Sequence, residues 1–388
     1  MITSKTPKVG LMLASTMSMG LEQAKGIARY VNLHSPWLLY SSDPNSGLEL
    51  LSSDQDFDGD GMIIHFNRQE QVEKYRCMPF PVVNVASLVL ETGFPSVLVD
   101  NEEVGRLAFE HLFERGFKSF GFCGFPNHGY SLLRQKGFCA AAQEHGLQIK
   151  VYEPPKLDGD SASTDSEETT LAAWLKSLEQ PAGVMAANDI RARKLLDTCH
   201  RCNINVPEDI AIIGVDNDPL ICLTTQPTLS SVSLPFERIG YEAAKLLDRL
   251  MYGEVHPERP IIFPPIGVVA RGSTDIIAVA DRDMARTLHF INQNAAKSIG
   301  VDDIAAAVSL NRRTLERRFR RHFGHSLYKE LLRRRINLAR SFLAETDLPM
   351  PEVAKRSGIN DAEQLSVIFR RELGIAPRDY RRKFRYTG

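Results

Sequence analysis

Residues 301–324 read VDDIAAAVSLNRRTLERRFRRHFG, and residues 350–374 read MPEVAKRSGINDAEQLSVIFRRELG. The apolar positions of the first stretch recur in the second, at first 49 and later 50 residues further along the chain. The matched pairs are Ile304 and Val353, Leu310 and Ile359, Leu315 and Leu365, and Phe319 and Phe369. Two short apolar helices joined by a tight turn, the second rich in basic residues, are typical of a helix-turn-helix. We therefore predict helix-turn-helix units at 301–323 and 350–373, and a tandem pair is a more specific signal than a single unit.

The charge of the chain is divided unevenly along its length. Residues 281–388 hold 23 basic and 13 acidic side chains, whereas residues 1–280 hold 24 basic and 35 acidic side chains. Such asymmetry indicates a basic module for a polyanion joined to an acidic module with another task. The alternative is that the basic tail is only a solvated helical surface.

The sequence favours a cytoplasmic protein. The first residues, Met1 to Lys8, contain no apolar segment of signal-peptide type, and no later stretch is apolar enough to cross a bilayer. Six scattered cysteines suit free thiols in a reducing compartment. Cys199 and Cys202 have CxxC spacing without a second pair, so we expect no metal site there. We expect no cofactor.

Residues 8–252 alternate short apolar runs with helical periods, which predicts βαβ units with parallel strands. One of the predicted helices lies near residues 47–53. Two sets of such units indicate two α/β lobes that face a cleft, where ligands bind at the carboxyl ends of the strands. The predicted fold is a two-lobed α/β domain followed by an all-α domain. We place the first domain at 1–275, a linker at 276–282 and the basic domain at 283–388.

Several motifs of the first domain resemble the ligand-binding domain of the lac/galactose repressors. They are VLVDNEEVGRLAFEHLFERGF at 97–117, RQKG at 134–137, GVMAAND at 183–189 and VPEDIAIIGVD at 206–216. The resemblance implies a periplasmic-binding-protein-like fold whose two lobes close on a small sugar. The N-terminal DNA-binding headpiece of that family is missing, because the first strand already begins at Lys8. DNA binding is therefore expected at the other end of the chain.

Five polar residues are candidates for sugar binding, since each lies near a predicted strand end or helix start. They are Asp100, Arg134, Asn188, Asp189 and Asp216. All except Asp189 occupy positions that, by the resemblance, line the repressor family's cleft. Carboxylates would accept hydrogen bonds from vicinal hydroxyls, and Arg134 would donate one. The alternative is that some of these residues only cap helices, as Asn188 could.

The second helix of each unit is the candidate DNA reader. In the first, Leu315 and Phe319 should face the core, which leaves a basic outer face. Arg313 and Arg317 are expected to contact bases, and Arg320 and Arg321 the phosphates. The predicted DNA-binding set is Arg312, Arg313, Thr314, Arg317, Arg320, Arg321, Glu363, Gln364, Arg370 and Arg371. A helix from Ser326 to about Glu345 is long enough to place the two readers in successive major grooves.

The basic tail resembles the DNA-binding domain of the AraC/XylS family, including the ending GIAPRDY at 374–380. Gln364-Leu365 departs from the aromatic pair frequent there, which leaves the contacts of the second unit less defined. A repressor-like sugar domain ahead of such a tail is similar to the arrangement of bacterial xylose operon regulators, as is DIRAR at 189–193. The resemblance implies a sugar-responsive activator for D-xylose utilisation. Its expected partners are double-stranded operator DNA, a second copy of the chain and RNA polymerase, with no membrane.

Other functions are compatible with parts of the same sequence. A regulator for another monosaccharide, or a repressor, fits the same residues. A sugar-metabolising α/β enzyme with a basic appendage is disfavoured because no catalytic set is visible in the sequence. A transport-type sugar receptor is disfavoured by the basic tail.

Overall fold

The computed structural model describes residues 6–14, 17–34, 36–42, 57–154, 164–255, 259–275 and 282–384. The predicted helix near 47–53 and most of the predicted linker lie outside these residues.

The first lobe is built on a four-stranded parallel sheet with strand order β2-β1-β3-β4. Its strands are β1 (Lys8–Met12), β2 (Leu38–Ser42), β3 (Gly61–Ile64) and β4 (Val82–Asn84). Its first two helices are α1 (Ser18–Leu33) and α2 (Gln69–Arg76). β1 and β3 are buried almost throughout, as strands covered on both faces must be.

The second lobe is built on a six-stranded sheet with strand order β12-β10-β9-β8-β6-β7, in which only β12 is antiparallel. Its strands are β6 (Ser119–Cys123), β7 (Ile149–Val151), β8 (Ala182–Ala186), β9 (Ile210–Val215), β10 (Ser230–Ser233) and β12 (Gly267–Val269). Its helices are α3 (Asn101–Phe113), α4 (Gly129–Glu144), α5 (Thr164–Lys176), α6 (Asp189–Arg201) and α7 (Pro219–Thr224).

The chain crosses between the lobes at three places. The strands β5 (Val97–Val99) and β11 (Ile261–Phe263) pair with each other there. Between β10 and β11, the helix α8 (Phe236–Met251) returns to the first lobe and packs on α1. A cleft between two lobes joined by several short segments is the geometry of a domain that closes on a ligand.

The third part of the molecule is a bundle of helices. It contains α9 (Arg282–Asn294), α10 (Val301–Ala307), α11 (Arg312–Phe323), α12 (Leu327–Glu345), α13 (Met350–Arg356), α14 (Ala362–Leu373) and α15 (Pro377–Phe384). α12 joins two separate cores: Leu327 and Leu331 belong to the first, and Leu332 and Ile336 to the second. The orientation of α12 therefore sets how the two cores lie relative to each other.

The repeat in the sequence appears in the structure as a repeat of helix ends. The side chains of Asn311 and Asp361 accept the backbone N–H groups of Thr314 and Gln364 at the starts of α11 and α14. Both helices end at a left-handed glycine, Gly324 or Gly374. Matched caps at both ends explain why both recognition helices have 12 residues.

The predicted fold class, a two-lobed periplasmic-binding-protein-like domain followed by a helical domain, is confirmed. Residues 18–33, within the segment predicted to alternate strands and helices, form the helix α1. The apolar runs and helical periods of the sequence did not predict β10, β11, β12 or α7. β10 reads Ser-Ser-Val-Ser, and its buried serines form hydrogen bonds within the lobe, so it has no apolar signature.

A first testable prediction concerns the contact of α3 with α4. A Cβ atom at Gly137 would lie far inside van der Waals contact with the carbonyl oxygen of Glu102. We expect Gly137→Ala to destabilise the first domain by about 1–3 kcal/mol or more, because neither helix backbone can withdraw easily. The melting temperature of the full chain measures the effect. Gly267→Ala is the matched control, since its Cβ would enter open space, and equal melting of the two variants would contradict the prediction.

Candidate functional site

A cavity of about 590 Å³ lies between the two lobes. Side chains from both lobes line it, together with residues of the crossing segments. The polar lining residues are His65, Asn67, Arg68, Gln71, Ser87, Asn101, His128, Tyr130, Arg134, Asn188 and Asp216. Phe125 and Phe236 add aromatic surface. This mixture of aromatic walls and convergent polar groups suits a small polar ligand.

Hydrogen bonds connect the lobes at the edge of this cavity. The backbone N–H of Gly129 donates to the carbonyl oxygen of Leu88 at 2.9 Å, and that of Ser18 donates to Asp218 at 3.4 Å. Each bond joins a residue of one lobe to a residue of the other. Opening of the cleft would have to break them.

Arg134 is the most firmly held of the lining side chains. It is 4% exposed, and its Nε donates to Asn101 Oδ1 at 2.9 Å while Nη1 donates to the carbonyl oxygen of Ala187 at 2.5 Å. Its guanidinium lies over the ring of Tyr130 and its Nη2 is 3.5 Å from Asp216 Oδ1. The protein itself therefore holds this guanidinium in one orientation, which reduces the entropy lost on binding.

Asp216 is held in a strained backbone conformation directly after β9. Its φ is +106°, outside the regions that residues with a side chain favour. Burial raises the pKa of this carboxyl to about 6, and the neighbouring Arg134 opposes the shift. Strained residues of this kind cluster at ligand sites, where the surrounding structure holds them in place.

Asn188 has two roles at the start of α6. Its Oδ1 accepts the backbone N–H of Arg191 at 2.9 Å, which caps the helix. Its Nδ2 lies 3.3 Å from the hydroxyl of Tyr130, on the cavity side. One side chain therefore forms both the helix cap and part of the cavity wall. A capping role for Asn188 is thus compatible with a role in sugar binding.

The recognition helix α11 carries its cations on the face opposite the core. Leu315 and Phe319 are fully buried, as predicted. The exposed arginines are Arg312, Arg313, Arg317, Arg320 and Arg321. Within the described residues, all of these except Arg312 lack an ion pair or a side-chain hydrogen bond, so their guanidinium groups are available to a polyanion.

Two members of the predicted DNA-binding set on α11 are less accessible. Arg312 forms ion pairs with Asp302 at 3.0 Å and with Glu316 at 3.2 Å. Thr314 is half-buried beside the helix cap. Their contact with DNA stays a prediction, and Arg312 would have to exchange its carboxylate partners for phosphates.

The outer face of α14 is poorer in free cations. Glu363, Gln364, Arg370 and Arg371 are exposed there, but Arg371 pairs with the adjacent Glu372 and Gln364 accepts the backbone N–H of Asn360. Val367 is 60% exposed in the middle of this face. The outer faces of the two recognition helices, α11 and α14, therefore differ in how many cations they offer to a polyanion.

Comparison with known proteins agrees with both the two-lobed domain that holds the cavity and the helical domain that holds the recognition helices. Residues 109–274 match the model of the periplasmic binding protein-like domain, and residues 304–383 match that of the helix-turn-helix domain. The chain is 29% identical over 97% of both chains to the xylose operon regulatory protein of Escherichia coli (strain K12). It is 27% identical to the protein of that name from Haemophilus influenzae, over 98% of this chain and 99% of the other.

A solved structure, of the xylose-binding transcription activator xylR, superimposes over 99% of this chain and all of the other. The TM-score is 0.64 and the identity is 27%. The chain is a helix-turn-helix transcription regulator with a periplasmic-binding-protein-like domain. Its relatives are regulators rather than enzymes, so the predicted class of function is confirmed.

Two of the five predicted sugar-binding residues lie outside the cavity lining of this regulator. Asp100 caps α3 by accepting the backbone N–H of Glu103 at 3.0 Å. Asp189 is 1% exposed and lies behind the cavity wall, where it accepts the Ser231 hydroxyl at 2.6 Å and the Asp218 N–H at 2.8 Å. Burial, and then the charge of Asp216, raise the pKa of Asp189 to about 7. As placed here, both carboxylates hold backbone and neighbouring side chains.

None of the polar lining residues of the regulator's first lobe was predicted from the sequence. His65, Asn67 and Gln71 follow β3, at the carboxyl end of a parallel strand where ligand-binding groups gather. Position after a strand was the signal that could have found them. In the second lobe, His128 and Tyr130 at the start of α4 were missed in the same way.

No helix in the described parts of the regulator combines the length and apolar content that a membrane span requires.

Proposed function

We propose that the regulator is an activator of pentose utilisation genes whose effector is D-xylose. Support comes from the cavity between the lobes, from the tandem recognition helices, and from full-length similarity to the xylose operon regulatory proteins. The observation that carries the proposal is the Arg134–Asp216 pair, oriented toward a small cavity in the same chain as two DNA readers.

The chemistry of the cavity favours a neutral polyol. The charges of Arg134 and Asp216 offset each other at 3.5 Å, so this buried pair directs no strong net charge at the ligand. Arg68, the other permanently charged lining residue, is exposed to solvent. Asp216 can accept hydrogen bonds from sugar hydroxyls, and Arg134 and Asn188 can donate to them. The ring of Tyr130 and the side chains of Phe125 and Phe236 can pack on the apolar face of a sugar ring.

The proposed mechanism is a shift between open and closed lobes. A sugar shifts this equilibrium only by the difference in its affinity for the two states. We infer that closure alters how the helical domains of a homodimer engage operator half-sites, and that the DNA-bound dimer recruits RNA polymerase. Such a regulator acts in the cytoplasm, where the chromosome is accessible.

Both recognition helices can reach one face of the DNA. α12 has 19 residues, which at about 1.5 Å per residue spans about 28 Å. This is close to the ~34 Å helical repeat of DNA, so α11 and α14 can enter successive major grooves. We propose that Arg313 and Arg317 read bases, that Arg320, Arg321 and Arg370 bind mainly phosphates, and that Glu363 accepts a hydrogen bond from a cytosine amino group. The remaining predicted residues would secure the register.

A thermal-shift panel of monosaccharides tests the effector. A ligand that binds only the folded protein stabilises it by about 2.7 kcal/mol at 100 times its Kd, so D-xylose should raise the melting temperature of the full chain. L-arabinose, D-ribose and D-glucose are the comparison sugars. Stabilisation by another of them would replace D-xylose as the effector, and no stabilisation by any would refute sugar sensing.

A DNA-binding assay tests the second half of the proposal. Duplexes selected from a random library by the wild-type chain provide the operator, and fluorescence anisotropy gives its Kd with and without the sugar. Equal Kd values in both conditions would show that the sugar does not control DNA binding.

A further inference from the structure

The last turn of α3 contacts the helical domain through a buried cluster of charges. Glu114, directly after α3, is buried, and its carboxylate forms an ion pair with Arg333 Nη1 of α12. Its other oxygen lies 3.7 Å from Arg334 Nη2. The two partners are more than 200 residues away in the sequence, so this contact joins the two domains.

The same arginines are shared with a buried carboxylate of their own helix. Glu330 is 1% exposed, and its Oε2 accepts Arg333 Nη2 at 2.6 Å while its Oε1 accepts Arg334 Nε at 3.0 Å. His325 Nε2 is 2.9 Å from Glu330 Oε2. Glu114, Glu330, Arg333 and Arg334 together form what we call the interdomain cluster.

Further charges surround this cluster, among them Arg115, Glu110 and Asp275. Arg115 is buried beside it and donates to the carbonyl oxygen of Thr274 at 2.7 Å. Burial and the proximity of Arg334 lower the pKa of Arg333 to about 9. Removing the carboxylate of Glu114 would leave two arginines side by side with less compensation, so the contact between the domains depends on this charge.

Helix α3 connects the cluster to the cavity. Its first residue, Asn101, lines the cavity and accepts Arg134 Nε at 2.9 Å. Gly105 and Gly137 bring α3 and α4 so close that a Cβ atom at either position would overlap backbone of the other helix. The helices therefore move as one body, and a displacement of Arg134 is carried along α3, about 20 Å in length, to Glu114.

A chain of hydrogen bonds reaches the same interface from the strained turn at Asp216. Asn217 Oδ1, next in sequence, accepts Arg271 Nη2 at 2.7 Å. The backbone N–H of Arg271 donates to Ser230 Oγ at 2.7 Å, and that hydroxyl is 2.7 Å from Thr274 Oγ1. Thr274 Oγ1 is in turn 2.9 Å from His111 Nε2 on α3. Two routes thus join the cavity to the end of α3.

We propose that Glu114 is the latch between the domains: its ion pairs with Arg333 and Arg334 fix α12 against the ligand domain and carry the effect of sugar to both recognition helices. α12 is the effective place for such a contact because its side chains belong to the cores of both helix-turn-helix units. The claim that the cluster carries the effect of sugar rests on the proposed function. The claim that it fixes α12 against the ligand domain rests on the interface alone.

Glu114→Gln tests the latch in the full-length chain. The substitution keeps the shape of the side chain and removes its charge. We expect the operator Kd without D-xylose divided by the Kd with D-xylose to fall about 2- to 30-fold toward one, as for other residues along a coupling route. Binding of D-xylose itself should persist, because no cavity residue is changed. Hydrogen exchange of the amides of α12 should accelerate, since the helix has lost the ion pairs with Glu114 that hold it to the ligand domain.

Glu102→Gln is the matched control on the same helix. Glu102 is exposed and pairs with Lys136 at 2.7 Å on the surface, so the sugar-dependent ratio and the exchange of α12 should remain those of the wild type. Arg333→Lys is a second variant that keeps the positive charge but loses the planar fork shared between Glu114 and Glu330. It should produce an intermediate loss, and it tests the latch even if Glu114→Gln fails to fold.

Several outcomes would overturn the latch. An unchanged ratio in both Glu114→Gln and Arg333→Lys would exclude signalling through the cluster, and an equal loss in Glu102→Gln would show that any charge on α3 suffices. A wild-type chain whose DNA affinity ignores every sugar would refute the proposed function and signalling together. Hydrogen exchange then tests whether Glu114 holds α12 against the ligand domain. That claim fails if the amides of α12 are as protected in Glu114→Gln and Arg333→Lys as in the wild type.

Discussion

Replacing Arg134 by alanine should weaken sugar binding strongly while leaving DNA binding in the absence of sugar intact. The guanidinium orients Asn101, contacts the carbonyl oxygen of Ala187 and offsets the charge of Asp216. Breaking a buried pair by removing one partner costs about 3–5 kcal/mol. If most of this cost falls on ligand binding, the affinity for D-xylose should decrease by at least about 100-fold.

The selectivity of this effect follows from the separation of the domains. α11 and α14 lie in a helical domain with its own two cores, so the operator Kd measured without sugar should not change. Isothermal titration calorimetry gives the sugar affinity, and anisotropy gives the operator Kd.

Arg106→Ala is the control for Arg134→Ala. Arg106 lies on the surface of α3 and pairs with Glu144 at 2.7 Å, so its loss removes a guanidinium without touching the cavity. Arg134→Lys should bind sugar with intermediate affinity, because it keeps a charge near Asp216 but cannot contact Asn101 and Ala187 at once. Wild-type sugar affinity in Arg134→Ala would remove this residue from the site.

The double substitution Arg313→Ala and Arg317→Ala should weaken operator binding and relax its sequence specificity. Each arginine that contacts a guanine contributes about 1–3 kcal/mol of discrimination, so the pair should cost about 2–6 kcal/mol. Both guanidinium groups are exposed on α11 and have no partner among the described residues. Competition between operator and random duplexes measures affinity and specificity together.

Two further variants separate base reading from phosphate binding. Arg320→Ala should weaken binding to all sequences alike and lower the salt dependence by about one unit of slope. Arg249→Ala removes an exposed arginine of the ligand domain, paired with Glu254, and should leave both quantities unchanged. Retention of wild-type operator affinity and specificity by the double variant would contradict the assignment of Arg313 and Arg317.

The helical domain could be predicted closely because its signals are local. Leu315 and Phe319 recur at the helical period, and Asn311 caps α11 with its own side chain. The same applies to Leu365, Phe369 and Asp361 in the second unit. Since the repeat states this pattern twice, each copy supports the interpretation of the other.

The cavity could be predicted only in part, because position after a strand does not determine which way a side chain points. Arg134, Asn188 and Asp216 line it, whereas Asp100 and Asp189 face neighbouring backbone. All five satisfy the same local criterion. A left-handed φ of +106° accompanies the placement of Asp216 at the cavity, and no sequence period signals that value.

The sequence by itself determined the two-lobed α/β domain and the tandem recognition helices, because periodicity and helix caps act within a few residues. It also determined the division of charge between the acidic first domain and the basic helical domain. The tertiary structure alone decided which carboxylates meet the ligand cavity and that Glu114 meets Arg333 and Arg334. These contacts join residues far apart in the chain. They depend on how whole lobes and helices pack, and a local pattern of apolar and polar residues does not predict that packing.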